Sequence, residues 1–432
     1  MTIKFRSMTD LMLVFLLLLT VTKSFSPLTP TGRQSVAKDS RLHAETLNEL
    51  SVKLPSAPLN LLEADRAFST AQIYEKSGFF RQALQCFHES ATLYQCYLDH
   101  PNAFSYVTSH NATSARAVLA YACVRLAHLN HDALGDTMAG SRLYQKAIEI
   151  DTSPSAVSFD GLGTTCEGAG VMRKVAIEHY EEAFKISPGV GNVAFHLAVA
   201  YERDGWEVDA KTLFDRMREE GGAGANSLVD SWGYVRWHMR KRANSNLHYG
   251  TREMLQIGLD AAKDIIDKGG LVMEFGVSSG RSIRMLAEML PREKAIYGFD
   301  TFTGLPQAWG NEPIGTYTNG GQKPPVPANV KLIKGLFSET VTEFLKSKEH
   351  ARDPIGFANI DCDLYSSTRD VLEALQPRII KGTILAFDEY ICHPTWRNDE
   401  FRAFRECCKR FGWNYEYLGF SLTSKQALVR IL

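Results

Sequence analysis

The sequence predicts an all-α region of helical repeats followed by an α/β domain built on a doubly wound sheet. Three observations predict it. From about Leu59 to Gly222 helical patterns recur with a period near 34 residues, and from Thr251 onward short apolar runs alternate with amphipathic ones. The apolar runs of the second region end in glycine or carboxylate residues, where a parallel sheet presents its ligand.

The chain as a whole permits both parts. Its 432 residues exceed one ordinary core, and 44% hydrophobic with 22% charged residues is a globular composition. Lys plus Arg (48) nearly balances Asp plus Glu (49), and no run of five basic residues occurs, so nothing in the charge favours DNA or RNA as partner. Eight cysteines without a CxxC pair fit neither a zinc module nor a disulfide scaffold and read as small buried apolar residues, with Cys407-Cys408 the adjacent pair.

Before the repeats, Lys4 and Arg6 precede the apolar run Leu11 to Val21, which is short for a membrane span and is followed by small residues. Residues 1–24 read as a cleavable signal peptide, leaving no stable span. Residues 25–58, "FSPLTPTGRQSVAKDSRLHAET" onward, are rich in Ser, Thr and basic residues, the composition of a transit peptide. A signal followed by Phe25 and such a segment resembles the bipartite presequences of algae with secondary plastids. Entry into the secretory pathway with a plastid destination is the expectation; secretion or an endomembrane lumen is the alternative.

Within residues 59–225, "GLGTTCEGAG" from Gly161 and "HLAVAYERDG" from His196 align without gaps, placing Gly170 on Gly205. Tyr144-x-x-Ala147 with Pro154 matches Tyr180-x-x-Ala183 with Pro188, and Tyr74 with Gly78 supplies another copy of the turn. Two helices per period, with small residues where helices cross, resemble tetratricopeptide repeats. One hairpin cannot bury its apolar face alone, so stacked hairpins share a core and leave a groove, which such repeats commonly offer to a protein partner. Residues 226–250 break the pattern and read as a linker.

In residues 251–432 the runs Leu271 to Phe275, Ala295 to Phe299, Val330 to Lys334, Ile355 to Ile360 and Thr383 to Phe387 read as strands. Helices are expected from near Ser282, Ser338, Thr368 and Asp399. The first strand runs into Gly276-Val-Ser-Ser-Gly280, a turn that lets backbone approach a ligand; a simple tight turn is the alternative. The second ends at Asp300, placed to accept hydrogen bonds from ribose hydroxyls. Without G-x-G-x-x-G or a lysine-bearing phosphate loop, an adenosine ligand lacking pyrophosphate is indicated. S-adenosylmethionine meets that description, and acidic Glu274 suits its cationic groups.

Asp361 follows the fourth strand and Asp388-Glu389 the fifth. Adjacent parallel strands lie about 4.8 Å apart, so these tips gather three like charges that call for a cation, and oxygen ligands select a hard ion such as Mg²⁺. The alternative is that Asp361 caps the next helix and Asp388 only meets solvent.

At this point "EFGVSSGRS", "GFDTFTGLP", "KGLFSET", "IDCDLYSST" and "FDEY", in this order, resemble the macrocin O-methyltransferase family. These are metal-dependent, Rossmann-like class I methyltransferases acting on hydroxyls of sugars and related small molecules. The resemblance spans Thr251 to about Trp413. It implies cofactor contacts from Glu274, Gly276, Gly280, Ser282 and Asp300, with Val277 in the same turn, and Mg²⁺ ligation by Asp361, Asp388 and Glu389. The family's Asp-Asp-Tyr is Asp388-Glu389-Tyr390 here, one methylene longer.

The mechanism expected is deprotonation of a small-molecule hydroxyl by Asp361, with His393 the other candidate base, and attack on the sulfonium methyl. His393 reads equally as a surface residue of the loop "ICHPTW". The long loop between Asp300 and Val330, with Trp309 and Tyr317, reads as a substrate lid. Two rivals predict other outcomes: a protein methyltransferase whose repeats present a polypeptide, and a non-catalytic adaptor.

Overall fold

Left-handed glycines set the rhythm of the helical half. Gly78, Gly135, Gly170 and Gly205 have φ of 69°, 73°, 70° and 88°, and each stands between the two helices of one hairpin. The hairpins pair α1 (Leu61–Lys76) with α2 (Phe80–Asp99), α3 (Ala112–His128) with α4 (Thr137–Ile150), α5 (Ala156–Gly168) with α6 (Arg173–Ile186), and α7 (Asn192–Arg203) with α8 (Glu207–Glu220). Side-chain caps start three of these helices: Asn60, Asp136 and Ser155 accept from Leu62 N, Ala139 N and Ser158 N. Small residues let the helices close on each other. A Cβ on Gly163 would stand 2.6 Å from the Tyr180 ring.

The computed structural model describes residues 59–106, 112–171, 173–241 and 246–432, all within one compact unit. The signal and transit readings on residues 1–58 lie outside the described residues. Among the described residues no helix is long and apolar enough to cross a membrane. All eight cysteines are free, and seven are buried, as expected of apolar fillers.

Two short paired strands, β1 (Leu59–Asn60) and β2 (Phe104–Tyr106), lie in the first hairpin region, and residues 226–250, expected as a linker, carry most of a 20-residue helix, α9 (Gly222–Lys241), and a third short strand, β3 (Asn246–His248). The helix is more than a connector because one face is apolar. Leu228, Val229, Trp232 and Val235 are buried, in one apolar cluster with Phe195 and Phe214 of the helical hairpins and Phe387 and Phe420 of the sheet. Ser231 Oγ accepts from Cys392 N at 2.8 Å, and the Tyr234 hydroxyl meets that of Tyr417 at 2.7 Å.

After α10 (Thr251–Asp267) the α/β half alternates as the sequence predicts: β4 (Leu271–Phe275), α11 (Arg281–Met289), β5 (Ile296–Asp300), β6 (Val330–Lys334), α12 (Phe337–Lys346), β7 (Ile355–Ile360), α13 (Tyr365–Leu375), β8 (Ile384–Phe387) and α14 (Glu400–Phe411). Two strands were not foreseen, β9 (Tyr415–Ser421) and β10 (Ala427–Ile431). The eight-stranded sheet runs β3-β9-β10-β8-β7-β4-β5-β6. Its centre, β8 to β6, is parallel, whereas β10 is antiparallel to both neighbours. Strand order reverses direction between β4 and β7, so their carboxyl ends open the crevice in which such sheets bind ligands.

Candidate active site

The glycine turn leaves β4 at this crevice. Gly276, at φ 92°, passes so close to β7 that a Cβ would overlap the Asp361 carbonyl oxygen. Only glycine serves there. Gly280, at φ 83°, ends the turn and starts α11, whose first-turn Ser282 is buried. Val277 N and Ser278 N both donate to Asp300 Oδ2, at 2.8 and 2.7 Å, and Phe302 N donates to Oδ1 at 2.6 Å. Asp300, expected on a ribose, thus also clamps the turn that follows β4 to the tip of β5.

Glu274 lies on β4 directly opposite Asn359 of β7, whose Nδ2 donates to Glu274 Oε2 at 3.1 Å. Both side chains are buried, and each retains an oxygen with no protein partner, Glu274 Oε1 and Asn359 Oδ1. Burial pushes the Glu274 carboxyl up to about 8 despite hydrogen bonds from Asn359 and Ser282, and the charges of Asp388 and Asp300 push the same way. An orphaned oxygen on a carboxyl held this far up fits a site made for a cationic or hydrogen-bond-donating ligand.

Carboxylates crowd the next two strand tips. Asp361 is raised well above the usual range by burial and by Asp388 and Asp363. Asp363, at φ 60°, is raised to about 7 by burial and by Glu389 and Asp388. Glu389 is likewise raised to about 7, by burial and Asp388. The side chains of the two tips therefore act on one another through their charges.

Their oxygens are nevertheless not assembled round one point: among the described residues no three His, Cys, Asp or Glu side chains are arranged to hold a metal ion. Gln426 donates to Asp388 Oδ1, and Lys425 Nζ lies 3.2 Å from Glu389 Oε2. The donor chemistry suits a hard cation, but in the arrangement seen Asp388 and Glu389 do not fit Mg²⁺.

His393 is buried rather than on the surface, which settles one of the two readings of its loop. Its Nε2 lies 2.9 Å from the Glu389 carbonyl, which only accepts, so that nitrogen carries the hydrogen. Burial lowers the ring's pKa. The Trp309 ring meets it edge-on at 5.4 Å, and Trp309 Nε1 donates to Asp399 Oδ2 at 3.1 Å. Gln307 donates to Ser366 Oγ at 3.0 Å. Tyr317, on the same loop, is pushed up to about 12 by burial and then by Asp363, Glu312, Glu389 and Asp361. The loop between β5 and β6 therefore lies against the carboxylates.

Residues 273–390 match the family model of a methyltransferase domain. No curated protein matches the chain. Among solved structures, the calicheamicin methyltransferase CalS11 is similar over 52% of this chain and 93% of its own, with 24% identity and a TM-score of 0.33. An apo structure of CalS11, a TDP-rhamnose 3'-O-methyltransferase, shares 29% identity over 40% of this chain and 77% of its own, with a TM-score of 0.29. The O-methyltransferase NovP shares 19% over 42% and 80%, with a TM-score of 0.31.

Several site neighbours were missed in the sequence. Asn359 had a signal, a polar residue inside an apolar strand. Glu400, fully buried and accepting from Cys362 N at 3.0 Å, had none beyond its place at the start of a helix. Lys425 and Gln426 precede β10, and without that strand nothing linked them to Asp388.

Proposed function

We propose that the chain is an S-adenosylmethionine-dependent O-methyltransferase acting on a hydroxyl of a small molecule, a sugar or glycosylated metabolite. One observation carries this reading: the glycine turn after β4 and the carboxylates after β7 and β8 open onto one crevice, inside the segment that matches a methyltransferase domain. The repeats, read as tetratricopeptide-like, and their protein partner remain part of the proposal, as does entry into the secretory pathway through residues 1–24.

In this reading Glu274, Gly276, Val277, Gly280, Ser282 and Asp300 surround the cofactor. S-adenosylmethionine supplies a methyl group on a positively charged sulfur, and Mg²⁺, if Asp361, Asp388 and Glu389 rearranged to hold it, would supply an electrophilic contact for the acceptor oxygen. No step is assigned to the metal, because two of its donors are engaged by Lys425 and Gln426. Asp361, its proton affinity raised by burial and neighbouring charge, takes the hydroxyl proton as the oxygen–carbon bond forms and the carbon–sulfur bond breaks. A cationic ligand beside Glu274 returns that carboxyl to its charged form. His393 packs against Trp309 and donates to Glu389, which favours a role in shaping the acceptor side over that of base.

Incubating the protein with methyl-labelled S-adenosylmethionine and a cell extract tests the proposal. Label should partition into small molecules. Label in macromolecules favours a protein methyltransferase, and absence of cofactor binding favours an adaptor.

A further inference from the structure

Two arginines stand where a helix least favours them. Arg281 and Arg284 occupy the first turn of α11, immediately after Gly280, where the helix dipole repels cations. Their partners come from the repeats. Asp132, buried in the π-turn Leu129–Ala133 between α3 and α4, accepts from Arg281 on Oδ2 and from Thr251 N on Oδ1 at 3.0 Å.

Arg284 reaches the preceding hairpin turn, donating to the Ser77 carbonyl and to the Gly78 carbonyl at 3.2 Å, with its guanidinium 4.5 Å from the Phe79 ring centre. The same guanidinium donates to Ser279 O at 2.7 Å, inside the glycine turn, and to Pro325 O at 2.7 Å, in the loop beyond β5. A Cβ on Gly78 would stand 2.6 Å from Arg284, so the turn is shaped to admit it. One side chain thus joins a repeat turn, the cofactor turn and the candidate lid.

We propose that Asp132 and the Ser77–Gly78 turn are positioning elements that hold Gly276 to Gly280 and the first turn of α11 in ligand-binding form, coupling cofactor affinity to the repeat half. The inference rests on the reading that this turn binds S-adenosylmethionine. A buried carboxylate that neutralises Arg281 offsets the dipole and lets the arginine serve as a strut. Asp132→Asn keeps the shape and removes the charge.

The test uses the full chain and two readouts: S-adenosylhomocysteine affinity by calorimetry, and backbone hydrogen exchange over Val277–Arg284 without ligand. Asp132→Asn should weaken S-adenosylhomocysteine about tenfold, as loss of one charge-assisted hydrogen bond implies. It should also speed exchange in the turn and raise KM for the methyl donor more than it lowers kcat, and Asp132→Glu should recover part of each effect. A folded Asp132→Asn protein with wild-type affinity and exchange overturns the proposal. If Asp132→Asn does not fold by circular dichroism, Arg284→Lys, which keeps the charge but cannot bridge the same carbonyls, is judged by the same readouts. If the wild-type chain binds no S-adenosylhomocysteine, the functional proposal fails, and unchanged or faster exchange alone then overturns or supports the clamp.

Discussion

Lys425 places its Nζ 3.2 Å from Glu389 Oε2. The chain thereby sets a cation of its own among Asp361, Asp363, Asp388 and Glu389. One ammonium does not offset the burial and mutual charge of this cluster, and all four carboxylates are raised toward their neutral forms, by burial first. In the arrangement seen, in which Asp388 and Glu389 do not fit Mg²⁺, methyl transfer is expected to continue in EDTA. Lys425→Met should tighten Mg²⁺ binding in a calorimetric titration by freeing Glu389. Loss of activity in EDTA that Mg²⁺ restores would mean instead that the carboxylates rearrange around a metal.

Asp361 and His393 separate as candidate bases by their placement: Asp361 follows β7 at the crevice, whereas His393 gives its Nε2 hydrogen to the Glu389 carbonyl and packs against Trp309. Asp361→Asn should lower kcat by about 10²–10⁴, the usual contribution of a positioned base, and leave S-adenosylhomocysteine affinity within a few-fold. His393→Gln, which keeps a donor toward the Glu389 carbonyl, should retain most of kcat. Single-turnover rates of the two variants at saturating donor decide the assignment.

The five strands of the parallel centre were legible because buried parallel strands are continuous apolar runs, and their tips carried the site residues with them. Leu271–Phe275, Val330–Lys334 and Ile355–Ile360 fall where the sequence places them, and the other two differ by one residue at one or both ends. Tyr415–Ser421 and Ala427–Ile431 were not legible: the first mixes Glu416 and Gly419 with aromatics, and no helix separates the two. Losing them hid Lys425 and Gln426, the side chains that now engage Glu389 and Asp388. Asp300 shows a different limit. Its position was read correctly, but a carboxylate beside three free backbone N–H groups binds them whether or not a ribose arrives.

Gly276→Ala tests how tightly the glycine turn is built. At φ 92° a side chain is strained, about 1–3 kcal/mol by itself, and here the added carbon also meets the Asp361 carbonyl, which is backbone and cannot rotate aside. The variant should unfold at lower denaturant and lose S-adenosylhomocysteine binding. Gly224→Ala, in a helix with nothing within 4 Å of the added carbon, is the control and should match or exceed wild-type stability.

In the helical half, His196 Nδ1 lies 2.9 and 3.1 Å from the two Asp160 carboxylate oxygens. Burial alone lowers this imidazole, but the charge of Asp160 and its hydrogen bond outweigh burial, and the folded pKa is raised above 6.5. The stabilisation is therefore complete below the unfolded value and disappears as pH rises through the raised folded one. Urea unfolding should show stability falling across that window in wild type. Asp160→Asn should lower stability at pH 6 by roughly 1–3 kcal/mol, the scale of a hydrogen bond to a charged group, with a smaller loss at pH 8. Equal losses at the two pH values would mean that His196 is neutral in the fold and that the pair is held by an ordinary hydrogen bond.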